Sequence, residues 1–394
     1  LYMSISEKTF TLPVITLILL SFCLGTSEFI IVGILPDISS GLNVSITIAG
    51  SLVSIFAIVY AVGTPFAAAL AGLFNKFNLI IALTVIFITG NFLCIIAPNY
   101  YTLAAARVVI AIVSGTLLSV SMAFVPDIVS EKKRASVVSW LYAGFSIASV
   151  FGVPIGTLIS HSFGWRYSFI FITAFSLIMF ILMIISLPRN TLTVRLNVIG
   201  QFVIFKDKRL LLSIFTVFFG ASASYVLYTY LAPVFEEILH IPAKYISVAL
   251  LAFGISVLFS NIYSGKMAEK NGVYKLRFSF LAQAVFMFAL PIAFYNNIAG
   301  IIFIFILGFL MYLQNSPIQV NVLNIATKEY PGAVTLAASM NSFAFNFGIA
   351  FGSICGSFFV DNIGMRYVGT GGGILAVFAL ISAVLLYKYS SAKN

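Results

Sequence analysis

The stretch TLPVITLILLSFCLGTSEFIIVGILP, from Thr11 to Pro36, is long enough to cross a bilayer and carries one charge, Glu28. About 20 apolar residues suffice for a membrane helix. On insertion scales a carboxylate in the middle of such a helix costs about 2.5–3.5 kcal/mol, so acids there are rare and usually line a protein-enclosed or water-filled pathway. Glu28 is the first candidate functional residue, and the rest of the chain is read for a partner, a cavity and a job for it.

Composition fixes the class. Hydrophobic residues make up 61% of the 394 and charged ones 8%, against about 25% charged in a soluble domain; the mean hydropathy is +1.12. Uninterrupted apolar runs, rather than short alternating segments, mark an all-α membrane protein and not a barrel. Cutting at polar breaks gives twelve transmembrane spans, at about 11–35, 46–72, 78–97, 101–125, 136–160, 167–187, 210–233, 244–264, 277–295, 298–323, 334–360 and 367–388. The start, LYMSISEKTF, is too short and polar for a cleavable leader.

The net charge of +10 raises the question of a polyanionic partner, and its placement answers it. With the N-terminus inside, inner segments hold 17 of the 21 lysines and arginines, outer ones hold Arg166, Lys244 and Arg366, and Arg107 lies within a span. This is the positive-inside pattern. It predicts a multi-pass protein of the bacterial cytoplasmic membrane with both termini cytoplasmic, a lipid bilayer as its surroundings, and no nucleic-acid partner.

The longest inner connection divides the spans six and six. Residues 1–187 and 210–394 read as two six-helix bundles, and 188–209 as the cytoplasmic linker. Internal repetition supports this, because Gly152, Gly156, Gly164, Arg166 and Tyr167 recur as Gly352, Gly356, Gly364, Arg366 and Tyr367 at a constant offset of 200. AGLFNKFNL after span 2 is echoed by AEKNGVYKL after span 8, and Pro36, ending span 1, by Pro233, ending span 7. Two pseudo-symmetric six-helix bundles with a substrate site between them are the architecture of a rocking transporter, here taken as a monomer.

Glu28 lies eight residues before Pro36, and Arg107 nine after Pro98, on helices running in opposite directions. At 1.5 Å per residue both fall about 12–14 Å below the outer surface. Matching depth makes Arg107 the candidate partner of Glu28. Candidate substrate-binding residues are Tyr225 and Tyr228, three apart in span 7, Gln314 and Asn315 in the amide-rich span 10, and Asn341 and Phe345, four apart in span 11. Amides and phenols in membrane spans should face the bundle interior. Cys23, Cys94 and Cys355 each sit alone in an apolar run, which suits buried packing and no metal. Trp140 and Trp165 fit interfacial anchors, and His161 and His240 fit solvated loops. No phosphate loop, HExxH or CxxC pair is present, so neither an enzyme nor a cofactor is expected.

Four stretches resemble the major facilitator superfamily and, over nearly the whole chain, its drug:proton antiporter branch, which includes bacterial purine, arabinose (sugar) and multidrug efflux transporters. SEFIIVGILPDIS is similar to the acidic-aromatic, Gly, Leu-Pro pattern of the purine and arabinose members. GKMAEKNGVYK is similar to the family's gating loop, with Gly265, Glu269, Lys270 and Gly272 in the Gly, acidic, basic and Gly places. The N-terminal copy departs from it: Gly72 occupies the acidic position and only Lys76 survives of the basic set. AGFSIASVFGVPIGT resembles the antiporter signature through Gly152, Pro154 and Gly156, which would form a tight seam between the two halves or ordinary small-residue packing. LxxxRxxxxxxSG around Arg107 matches the family's span-4 arginine.

The resemblance implies proton-coupled efflux of small amphipathic or aromatic molecules by alternating access, with protons and a small-molecule substrate as partners. Glu28 would carry the proton and Arg107 take up its charge; a static buried ion pair between them is the structural alternative. Other functions of the same fold are a proton-independent facilitator or uniporter and a lipid flippase.

Overall fold

In the computed structural model, residues 10–71, 74–189, 206–269, 271–330 and 334–391 are described. Gly72 and Lys270 lie outside these residues. Twelve helices among the described residues are long and apolar enough to span a membrane. They run α1 Leu12–Leu42, α2 Ile46–Ala71, α3 Lys76–Ile96, α4 Tyr100–Ile128, α5 Glu131–Ile147 continued through a π-helical turn into α6 Val153–Phe163, and α7 Trp165–Ser186. The second half has α8 Lys208–Tyr228, a short α9 Leu231–Pro233, α10 Ala243–Glu269, α11 Gly272–Ala293, α12 Asn297–Leu310, α13 Asn315–Glu329, α14 Val334–Asn362 and α15 Val368–Ser391. Residues 1–45 with 59–196 form one compact unit, and 46–58 with 197–394 the other, so α2 is divided between them.

Helix starts are set by side-chain caps. Asn75 accepts from the Phe77 and Asn78 amides, Asn99 from Thr102, Asp207 from Arg209, and Asn296 from Ile298 and Ala299, which begins α3, α4, α8 and α12. Within the spans, hydroxyls return their protons to the carbonyl four residues back, as Thr16, Thr84, Ser114 and Thr157 do. This leaves few polar groups needing partners in a lipid phase.

In the first unit α1 is the central helix, with 83% of its apolar window buried. It packs on α4, α5, α6 and α7. Gly152 and Gly156 meet α1 directly: a methyl group on either would run into Thr26 or Ile30. Gly352 and Gly356 of α14 lie in the same way against Ser222 and Val226 of α8. The close approach at Gly152 and Gly156 is helix packing on α1 inside the first unit. Pro154 follows the π-helical turn Ala148–Gly152. Proline has no amide hydrogen and its ring crowds the carbonyl four back, so the widened turn absorbs both. The repeated glycines Gly164 and Gly364 share a backbone that L side chains avoid, with φ of 102° and 111°.

Three details differ from the expectations. Pro36 does not end α1, which runs on to Leu42; membrane helices tolerate an internal proline more readily than soluble ones do. Trp165 is buried at 4% exposure, packed on Gly41, whereas Trp140 is 41% exposed. His161 is not a solvated loop residue: its Nδ1 lies 3.5 Å from the Asp37 carboxylate, which also accepts from Ser160. Cys23 and Cys94 are buried, and Cys355 is half-buried.

Span 10 is broken between α12 and α13. The Met311 amide bonds back only three residues, to Gly308, and Asn315 to Tyr312. Two serines of α10 replace the missing helical partners. Ser260 accepts from the Tyr312 amide at 3.0 Å, and Ser264 accepts from Ser316 and donates to the Leu313 carbonyl, each at 3.0 Å. A broken membrane helix is tolerated where protein supplies such partners.

Candidate functional site

Arg107 of α4 is completely buried. An arginine carries five donors and must find acceptors when removed from water. It reaches α1 and donates from Nη2 to the Glu28 carbonyl at 3.1 Å and from Nη1 to the Ser27 carbonyl. Helix carbonyls already bonded within the helix keep a second lone pair for this. Ser27 also donates its hydroxyl to Asn91 of α3 at 3.1 Å, and Asn91 donates to the Phe87 carbonyl. Three spans are thus tied together by buried polar groups around one turn of α1.

The Glu28 side chain takes no part in that network. It is 8% exposed, and its Oε2 is buried with no hydrogen-bond partner among the described residues. Ion pairs among the described residues include Lys76–Asp127 and Arg209 with both Asp207 and Glu329, and no carboxylate–guanidinium contact within 4 Å is seen for Glu28. Arg107 lies within electrostatic reach of the Glu28 carboxylate while donating to the main chain of α1. Tyr60 of α2, buried at 6% exposure, lies within electrostatic reach of Glu28.

In the second unit an aromatic cluster forms around α8. Tyr225 and Tyr228 meet edge to face at 5.2 Å, Tyr225 meets Phe345 at 6.0 Å, and Tyr228 stacks on Phe253 of α10 at 5.5 Å. Tyr312, at the break in span 10, stacks on Phe345 at 5.5 Å and places its hydroxyl 3.4 Å from that of Tyr225. The cavity beside Tyr228, Phe253 and Ser224 measures about 10 Å³, room for about one water. The rings pack on one another.

Gln314 is 2% exposed and braces the break against α8, with its amide nitrogen facing the Thr216 carbonyl and its oxygen facing the Ala221 amide, each at 3.2 Å. Asn315 is half-buried, and Asn341 is half-buried with a buried Oδ1 that has no hydrogen-bond partner among the described residues. Tyr225, Tyr228 and Phe345 thus come together, joined by Tyr312 and Phe253, while Gln314 serves the main chain of span 7.

Lys76, the remnant of the degraded N-terminal loop, pairs with Asp127 at the end of α4 at 2.9 Å and donates to the Ala123 carbonyl at 3.0 Å. In the better-matching second loop Glu269 is exposed and makes no ion pair among the described residues. Among the described residues nothing crowds Gly265, and Gly272 lies close against Pro317 of α13. The charge cluster of the second unit lies elsewhere: Arg209 bridges Asp207 and Glu329, each at 2.6 Å, and Tyr330 donates to Asp207 at 3.2 Å. It joins the start of α8 to the end of α13.

With this geometry in view, comparison with known proteins gives a direct result. The description Major Facilitator Superfamily matches residues 17–343. The chain belongs to this superfamily. An uncharacterised major-facilitator-type transporter of Bacillus subtilis, YtbD, is 34% identical over 380 residues, covering 96% of each chain. The inner membrane transport protein YdhP of Escherichia coli is 30% identical with 94% of each covered. A probable sugar efflux transporter of Mannheimia succiniciproducens is 28% identical, with 96% of this chain and 94% of the relative covered. A crystal structure of a bacterial homologue of the human lysosomal transporter Spinster shares the fold with a TM-score of 0.77 at 16% identity, over 96% of both chains. The protein is a twelve-span membrane transporter of the major facilitator fold.

Two predictions concern charged groups at the ends of the spans of this superfamily member. Asp127→Asn is expected to lower thermal stability by about 0.5–1 kcal/mol, the worth of a partly exposed pair, and Lys76→Asp with Asp127→Lys is expected to restore it in a melting assay. For Asp207, burial pushes the carboxyl up, but the Arg209 hydrogen bonds and charge, with Tyr330, outweigh it and hold it below the usual carboxylate range. A depressed folded value means stability that is complete above the unfolded value of about 4 and lost as pH falls through the folded one. Melting temperature measured from pH 6 downward is expected to fall less steeply in Asp207→Asn than in the natural protein.

Proposed function

We propose that the protein exports small amphipathic or aromatic molecules, drugs or metabolites such as purines or sugars, in exchange for protons by alternating access, from a cytoplasmic membrane in which both termini face the cytoplasm. The observation that carries this reading is the buried Oε2 of Glu28, which has no hydrogen-bond partner among the described residues, beside an arginine that donates to the main chain. An orphan buried acceptor is costly, and a proton is the smallest partner that removes the cost. In the exchange Glu28 takes a proton from the outer side, and substrate binding from the inner side favours its release inward. The clustered tyrosines and phenylalanines of the second unit suit an aromatic or amphipathic ligand, which stacks on ring faces and hydrogen-bonds phenols. That a relative is described as a probable sugar efflux transporter supports outward movement of the substrate.

The test is a substrate panel in proteoliposomes with a pH-sensitive dye, containing purines, sugars and amphipathic aromatic compounds. At least one class is expected to drive proton movement opposite to its own. Transport of a compound with no proton flux, unaffected by uncoupler, would show a facilitator instead.

A further inference from the structure

A second polar feature stands apart from Glu28 and from the aromatic cluster. Arg277 of α11 shares a helix face with Tyr274 and Phe278. Its guanidinium carbon lies 3.7 Å from the centre of the Tyr274 ring, 5.0 Å from that of Phe278 and 5.4 Å from that of Tyr387 on α15. The rings brace one another, with Tyr274 edge-on to Phe278 at 5.7 Å and to Tyr387 at 5.1 Å. Ring faces hold a cation but accept almost none of its N–H hydrogens. Among the described residues no carboxylate pairs with Arg277, and its Nε is buried without a hydrogen-bond partner. The fork is fixed in place with its donors unspent.

A second cation repeats the pattern across α15. Lys208, at the start of α8, lies 5.8 Å from the centre of the Tyr389 ring and likewise pairs with no carboxylate among the described residues. Residues two apart on a helix point to opposite sides, so the end of α15 stands between Arg277 on the Tyr387 side and Lys208 on the Tyr389 side. The starts of α8 and α11 and the end of α15 share one membrane face, the face of the basic loops. Beside the cations Phe278 is 54% exposed and Tyr389 45% exposed.

We propose that Arg277, in its aromatic cage, binds the phosphate of an anionic phospholipid in the leaflet on the basic-loop side, with Lys208 as a second contact for the same class of headgroup. A guanidinium fork matches the paired oxygens of a phosphodiester. The exposed rings decide between a lipid and a free phosphate: acyl chains cover Phe278 and Tyr389, whereas inorganic phosphate leaves them bare. Cationic residues facing an anionic leaflet gain from its surface potential as well.

Native mass spectrometry of the full-length protein, titrated with phosphatidylglycerol or phosphatidylcholine, tests this. Phosphatidylglycerol is expected to remain bound preferentially, and Arg277→Gln to weaken it about fivefold, the worth of one basic residue at such a surface, with phosphatidylcholine unchanged. Arg277→Lys, which keeps the charge and loses the fork, is the second variant should Arg277→Gln fail to fold, and a partial loss is expected from it. Retention of phosphatidylglycerol at the natural level by whichever variant folds overturns the proposal. Displacement of phosphatidylglycerol by millimolar inorganic phosphate also overturns it, because the site would then belong to a free anion.

Discussion

Glu28→Gln protein in proteoliposomes is expected to exchange substrate across the membrane yet fail to accumulate it when a pH gradient or membrane potential is imposed. The amide keeps the shape of the protonated carboxyl and cannot release a proton. A potential of 100 mV supplies about 2.3 kcal/mol per charge, and 1.4 kcal/mol is about tenfold, so one proton supports roughly a forty-fold gradient of a neutral substrate. That gradient should collapse to about onefold in the variant, while counterflow of labelled against unlabelled substrate continues. Uphill transport by Glu28→Gln would end the assignment of the proton to this residue. Glu28→Asp, which keeps the acid on a shorter arm, is expected to retain part of the coupling.

Arg107→Ala should be the most damaging single change to the fold. Arg107 is fully buried and its bonds to Ser27 and Glu28 join α4 to α1. Hydrogen bonds from a charged group are worth about 1.5–3 kcal/mol each, and truncation of so large a side chain also leaves a cavity. A loss of at least about 3 kcal/mol is expected, read as a lowered melting temperature in detergent and as reduced yield. Arg107→Lys keeps the charge but reaches the two carbonyls with a single ammonium, and is expected to fold with intermediate stability. Because the arginine holds the turn that carries Glu28, the lysine variant should also shift the pH at which transport is half-maximal. An unchanged pH profile would limit Arg107 to packing.

The twelve spans were legible because nothing competes with twenty apolar residues in a row, and the charges in each loop mark where a span ends. Arg107 does reach the turn of α1 that carries Glu28, but the count that paired them took Pro36 as the end of span 1, whereas α1 runs on to Leu42. What the side chains do on meeting was not legible: that Arg107 donates to the Ser27 and Glu28 carbonyls depends on rotamers, which residue spacing does not fix. Asp127, the partner of Lys76, stands just past the apolar run of span 4 with no motif to mark it. The break in span 10 was hidden for a related reason. Met311, Tyr312, Leu313 and Gln314 are acceptable helix residues, and the break is stabilised by Ser260 and Ser264, which in an apolar span look like small packing residues. Tyr312 joins the aromatic cluster only because the chain turns there.

That break also bears on how the chain enters the membrane. The two pieces of span 10 contain 14 and 15 residues, about 21 Å and 23 Å of helix, and neither alone crosses a hydrocarbon layer of about 30 Å. Residues 297–329 together are apolar and long enough to insert, so during synthesis they should enter as one continuous helix. The serines that accept and donate at the break belong to α10, which precedes them in the chain and is already inserted. The kink is then acquired afterwards, when α10 and span 10 dock, and a chain lacking the Ser260 and Ser264 hydroxyls would be delayed in maturation rather than in insertion.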